Sequence, residues 1–230
     1  MAQFFSLAFL GFFLGMRHAT DPDHVVAVTT IVSRERQVDS AGGIGMLWGL
    51  GHTATIVVVG GAILLFDVVI PPRLGLSMEF SVAVMLVLLG VLSLVHRRDG
   101  HRHTGDATPE TKDERWFVFR HQSLRPLAIG VVHGLAGSAA IALLVLATIS
   151  NPVWGVVYLA VFGIGTVAGM MLITAAISIP FAYTSRRRAG FNRSLGFASG
   201  VSSVVFGMFL IYQIAFVDGL FTRYAHWTPR

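Results

Sequence analysis

Apolar residues run along this chain in six long stretches, separated by short polar breaks and one long one. The stretches fall at roughly 2–32, 41–66, 78–96, 124–149, 154–182 and 194–217. All are at or above the length, about twenty residues, that an α-helix needs to cross a hydrocarbon core of about 30 Å. The pattern predicts an all-α polytopic membrane protein with six transmembrane helices, built as one domain over residues 1–230. The first stretch is too long for one straight crossing. It contains Pro22, whose ring nitrogen has no hydrogen for the carbonyl of His18 four residues back, so a kink or break is expected there.

The two halves echo each other. Gly15-Met16-Arg17-His18 recurs as Gly130-Val131-Val132-His133, Gly49-Leu50-Gly51 as Gly163-Ile164-Gly165, and Phe80 with Gly90 as Phe197 with Gly207, at offsets of 114 to 117. This predicts repeat 1 over about 2–96, a cytoplasmic loop over about 97–123 and repeat 2 over about 124–217. Because three spans make each repeat, the second must be inverted in the membrane, a transporter plan that puts a substrate site near the midplane where broken helices meet.

Composition agrees with a bilayer rather than water as the solvent. Mean hydropathy is +0.70, and 13% of residues are charged where soluble domains carry about 25%. The net charge of +5 comes from Arg residues in short loops, where membrane topology accounts for them better than nucleic-acid binding. Thirteen Lys and Arg residues follow spans 1, 3 and 5, against Arg73, Arg223 and Arg230 on the other side. The positive-inside rule then puts both termini outside a cell inner (plasma) membrane. No Lys or Arg precedes Arg17, so the first stretch reads as a retained span rather than a signal peptide.

Between Phe4–Met16 and Val25–Val32 stands Arg17-His18-Ala19-Thr20-Asp21-Pro22-Asp23-His24. Ionisable groups at membrane depth cost several kcal/mol each unless paired, hydrated or holding an ion, so two imidazoles and two carboxylates there mark a functional site. With no cysteine in the chain, a metal would be held by imidazole, carboxylate, backbone or water. On an undistorted helix His18 and Asp23 would lie about 140° apart, and His18 and His24 about 120° apart on the other side. Only the break at Pro22 lets His18, Asp21, Asp23 and His24 converge. The bland reading is that Asp21 caps the helix starting at Pro22 while the histidines satisfy one another. It leaves Asp23 and two histidines at membrane depth unexplained.

His52, in Gly51-His52-Thr53-Ala54-Thr55, is a further ligand or gate in this reading, with a hydrogen-bonded core histidine as the alternative. His133 is the counterpart of His18 without an acidic neighbour, and stands between a gating or outer hydrogen-bonding role and packing. Thr20 and Thr53 are assigned the same gating or outer role. The polar loop carries His101, His103 and His121 and reads as a solvated linker more than a metal sensor. Mixed imidazole and carboxylate donors suit nickel, cobalt, zinc or iron better than magnesium or calcium.

His18, Asp23 and His24, with Arg17 ahead of them, form a His-x4-Asp-His pattern that resembles the signature of the nickel/cobalt transporter superfamily. Gly51-His52-Thr53-Ala54-Thr55 and His133-Gly134-Leu135-Ala136-Gly137-Ser138 extend the resemblance to its six-span UreH-type branch. The resemblance implies a permease for nickel or cobalt with His18, Asp23 and His24 essential. Pro22 stands where classical members have a small residue, and many of those have eight spans.

The expectation is therefore a secondary permease for Ni²⁺ or Co²⁺, importing the ion past His18, Asp21, Asp23, His24 and His52. Its partners are the metal ion and the lipid bilayer, with no nucleic acid and no prosthetic group. No Gly-x4-Gly-Lys-Ser/Thr motif occurs, so no ATPase subunit is expected. A potential of about 100 mV favours inward movement of a divalent ion by roughly 2 × 2.3 kcal/mol. Imidazole ligation predicts uptake that falls as external pH drops through about 6. The rivals are efflux, an intramembrane metal-dependent hydrolase with Asp21 as its base, and a structural protein whose polar cluster joins helices. No enzymatic role is expected.

Overall fold

The computed structural model describes residues 2–33, 38–66, 70–95, 124–135, 149, 151–187, 189–222 and 225–227. Everything regular among them is helical: α1 (Ala2–His18), α2 (Pro22–Val32), α3 (Val38–Phe66), α4 (Pro72–Val95), α5 (Leu124–His133), α6 (Pro152–Arg187) and α7 (Ala189–Tyr212), then a π-turn over Gln213–Val217. Among the described residues, four helices are long and apolar enough to cross a membrane: α3, α4, α6 and α7. The first apolar stretch holds two shorter helices, and the fourth holds α5, with 136–148 outside the described residues. The loop 97–123, with its three histidines, also lies outside them.

The break in the first stretch falls where Pro22 requires it. The chain leaves α1 after His18 through two turn bonds, Thr20 N–H to Arg17 O (2.8 Å) and Asp21 N–H to His18 O (3.1 Å). Asp21, forced out of the helical region by the proline that follows, takes φ −59°, ψ 144°. Pro22 opens α2 at the position where its missing N–H is harmless.

Helix α4 starts at Pro72 rather than near residue 78; its first turns bury Gly75 and Leu76 and meet the C-terminal segment at Gly75 and Glu79. Trp227 Nε1–H donates to Glu79 Oε1 (2.9 Å), and the indole lies flat against Gly75, where any Cβ would strike the ring. Phe80 and Phe221 pack edge to face beside it.

Packing runs inside out relative to a soluble protein. Phe5, Phe9, Phe13, Val58, Leu172 and Phe209 face outward, while His18, His24, His52, His133, Thr166 and Ser203 are buried. Lipid tails are as apolar as leucine, so helices gain little from hiding apolar surface from one another. Close backbone approach and interhelical hydrogen bonds, about 0.6 kcal/mol each, hold them together instead. Small residues supply the approach. Helix α6 lies parallel to α1, with Gly15 seated on the backbone of Phe162 and Thr166, and antiparallel to α3, with Gly49 on Val167 and Gly163 on Thr53. Helix α5 runs parallel to α3, with Gly130 on Trp48 and His52, and α7 runs antiparallel to α4, with Gly90 on Val204 and Gly207 on Val87. Hydroxyls add links between helices: Thr55 to Val131 O (3.0 Å), Ser203 to Leu86 O (2.8 Å) and Thr30 to Ser199 O (3.2 Å).

Candidate metal centre

Four helix ends and faces converge beside the break. Helix α1 delivers His18 as its last residue, α2 delivers Asp23 and His24 in its first turn, α3 delivers His52 from its middle, and α5 delivers His133 as its last residue. His24, His52 and His133 are fully buried and His18 nearly so. The ring centroids of His24 stand 4.8 Å from His18, 4.9 Å from His52 and 4.3 Å from His133, so His24 is the hub. Glycines make this convergence possible: Gly130 lets α5 lie on the Trp48–His52 turn of α3, and Gly134 sits against His52 O and Thr55.

The polar contacts have a definite order. Asp21 Oδ2 accepts from His18 Nδ1 at 2.8 Å, and the other side of that ring, Nε2, faces His52 Nε2 at 2.8 Å. Asp23 bridges two rings, with Oδ1 3.2 Å from His24 Nδ1 and Oδ2 3.0 Å from His133 Nε2. Among the described residues His24 Nε2, His52 Nδ1 and His133 Nδ1 are buried with no hydrogen-bond partner. Leaving a buried polar nitrogen unpaired costs on the order of 1–3 kcal/mol.

Two groups of donors lie close enough to hold an ion: His18, His24 and His52, and Asp23, His24 and His133, each set with its donor atoms within 4.8 Å of one another. Metal–nitrogen bonds of about 2.0–2.1 Å require donors about 3–4 Å apart, so either group closes on a transition ion by small side-chain rotations. Three imidazoles, or two imidazoles and a carboxylate, are donor sets of the borderline softness that suits such ions.

Of the residues singled out in the sequence, His18, Asp23, His24 and His52 meet here, and His133 joins them as a full member. Asp21 reaches the cluster only through His18. The alternative reading of Asp21 as a cap is not seen: its carboxylate makes no side-chain cap bond to the first turn of α2 and is turned toward the imidazole instead. Thr20 is exposed and its hydroxyl donates to Arg17 O (2.5 Å), while Thr53 Oγ1 donates to Gly163 O (3.2 Å), a contact between helices. Trp48 went unremarked in the sequence as a site residue. It stacks on His24 with centroids 5.9 Å apart and an interplanar angle of 17°, walling the cluster with an apolar face. The available signal was its spacing: four residues before His52, it lies on the same face of α3.

Comparison with known proteins agrees with this architecture. Residues 25–209 match the family of the cytochrome c biogenesis protein transmembrane region. The chain is 36% identical to urease accessory protein UreH of Bacillus sp. (strain TB-90) over 94% of its own length and 95% of that protein's. It is 25% identical to the high-affinity nickel transport protein of Cupriavidus necator, covering 87% of this chain and 68% of the relative, and 25% identical to chloroplast protein FOR GROWTH AND FERTILITY 2 of Arabidopsis thaliana, covering 93% and 58%. No solved structure matches. With a buried imidazole cluster at a proline break, and with near full-length similarity to UreH, this integral membrane chain belongs to the UreH-type branch of the nickel/cobalt transporter superfamily, and its residues 25–209 belong to the family of the cytochrome c biogenesis protein transmembrane region.

Proposed function

We propose that the protein is a secondary permease that carries Ni²⁺, with Co²⁺ as a chemically close second cargo, into the cell through the histidine cluster. The observation that carries this reading is the meeting of four buried imidazoles from four separate helices, with His18 Nε2 and His52 Nε2 only 2.8 Å apart. A structural cluster would pair its polar atoms; this one leaves three ring nitrogens without partners among the described residues. The names of two relatives, a urease accessory protein and a nickel transport protein, support nickel as the cargo.

A six-crossing body of two inverted repeats is part of the proposal. Its support is reciprocal packing. Gly15 rests on Phe162 and Thr166, and its counterpart Gly130 rests on Trp48 and His52, the counterparts of those two residues. The pairs Gly49 with Val167 and Thr53 with Gly163 obey the same exchange, as do Gly90 with Val204 and Val87 with Gly207. Helices α3 and α6 are antiparallel and each carries its neighbour, α5 or α1, parallel to itself, the arrangement that an in-plane two-fold axis generates. In this frame His18 corresponds to His133 and His52 to Thr166, so the donors are concentrated in repeat 1.

The test is accumulation of radiolabelled nickel in cells that express the protein, compared with the double variant His18→Asn/Asp23→Asn. Import predicts accumulation above the empty-vector level that the double change abolishes. Equal accumulation by both proteins overturns the metal reading. Expression that lowers cellular nickel and confers resistance reverses the direction to efflux.

A further inference from the structure

Resting on the reading of the cluster as a metal site, we propose that its two carboxylates do not bind the ion: Asp21 and Asp23 are positioning residues that hold His18 and His24 by their Nδ1–H groups, so that the cargo is bound by His18, His24 and His52, with His133 anchoring Asp23 from behind.

An ionised carboxylate only accepts hydrogen bonds, so any imidazole nitrogen beside one must carry the proton. Asp21 Oδ2 at 2.8 Å from His18 Nδ1 therefore fixes the tautomer in which His18 Nε2 keeps its lone pair, and that atom faces His52 Nε2. Asp23 Oδ1 at 3.2 Å from His24 Nδ1 fixes His24 the same way, leaving Nε2 bare. That nitrogen is buried and without a partner among the described residues. The imidazoles of His18, His24 and His52 can each turn one nitrogen to a shared point, since such atoms lie within 4.8 Å of one another.

The second oxygen of Asp23 is also engaged, by His133 Nε2 at 3.0 Å. His133 completes a chain in which it donates to Asp23, Asp23 accepts from His24, and His24 offers its free nitrogen to the ion. Hydrogen-bonded carboxylates behind ligating histidines orient the ring and raise its basicity, and losing one costs about 10–100-fold in metal affinity. The arrangement also suits transport. Each carboxylate adds attraction for the cation without a direct bond that would slow its departure.

The competing geometry is the other donor group, Asp23 with His24 and His133, in which the carboxylate is a ligand. Pulsed electron paramagnetic resonance of the purified full-length protein loaded with Cu²⁺ separates the two, because it counts bound imidazoles and senses hydrogen bonding at each ring's remote nitrogen. The proposal expects three imidazoles, falling to two in His18→Gln and in His52→Gln. In Asp21→Asn and Asp23→Asn it expects three to remain, with shifted remote-nitrogen couplings and copper binding about 10–100-fold weaker. His133→Gln keeps the count at three.

Two imidazoles in the unaltered protein, insensitive to His18→Gln and reduced to one in His133→Gln, overturn the proposal while leaving the site a metal site. Absence of stoichiometric copper in the unaltered protein overturns both this proposal and the permease reading beneath it. Asp21 is about one-third exposed, so its variant tests the same point where a change at buried Asp23 prevents folding.

Discussion

Replacing Gly134 by alanine tests whether the cluster depends on helix spacing. A Cβ on Gly134 would stand 2.7 Å from His52 O and 2.8 Å from Thr55 Cβ, about 0.7 Å short of the 3.4 Å of ordinary contact. Neither obstacle is the loose end of a long side chain, so α5 must back away from α3. Its neighbour His133 then carries Nε2 from 3.0 Å toward about 3.7 Å from Asp23 Oδ2, past hydrogen-bond range. A hydrogen bond to a charged group is worth about 1.5–3 kcal/mol, and overpacking itself costs about 1–3 kcal/mol. With partial relaxation, a loss of about 3 kcal/mol is expected, on the order of a hundredfold in any equilibrium that requires the assembled site. The assay is initial-rate uptake of radiolabelled nickel, with unfolding of the detergent-purified protein followed in parallel. Gly43→Ala is the control, since a Cβ there meets nothing within 4 Å among the described residues and alanine is the better helix former by about 0.8–1.0 kcal/mol. Uptake and stability of Gly134→Ala equal to those of Gly43→Ala would refute the spacing argument.

Thr55→Val removes the hydroxyl that links α3 to Val131 O at 3.0 Å and should cost only about 0.6 kcal/mol, with uptake near normal; a loss as large as that of Gly134→Ala would mean that hydrogen bonds, not close approach, set the register. Trp227→Ala strips the indole from Gly75 and leaves Glu79 Oε1 without that donor, so the unfolding midpoint of the purified protein should fall by an amount matching about 2 kcal/mol, and an unchanged midpoint would show that the C-terminal segment does not clamp α4. Trp48→Leu should keep nickel binding but loosen it, measured by calorimetric titration, because the stacked wall over His24 is lost while every donor remains; tighter binding would contradict that role.

The elements most legible in the sequence were those fixed by a single strong local constraint. Pro22 alone located the break, and the break alone explained how His18 and His24, about 120° apart around a continuous helix, bring their ring centroids within 4.8 Å. Gly15, Gly49 and Gly130, which stood out in the sequence, each sit at a close helix contact, because such contacts need glycine on one partner whatever surrounds it. Features decided by distant neighbours were harder to read. His133 has no acidic residue near it in sequence, and its carboxylate partner arrives from a residue 110 positions away. Asp21 has the identity and position of a helix cap, yet His18, three residues earlier, offers its carboxylate a stronger bond at 2.8 Å. The start of α4 was misplaced because Arg73 and Glu79 look like interface residues, whereas both lie within the helix, where Trp227 Nε1–H bonds Glu79 and exposed Arg73 reaches Thr222 O.

The elbow between α1 and α2 splits the donors among separately mounted bodies. His18 travels with α1 and His52 with α3, both of which lie along α6, whereas His24 rides on α2, which rests on α4 and α7 as well as on α6. Any tilt of one body against another therefore changes the size of the cage itself. A cage that tightens in one tilt and gapes in the other couples the grip on its guest to the opening of the route, without a dedicated gate.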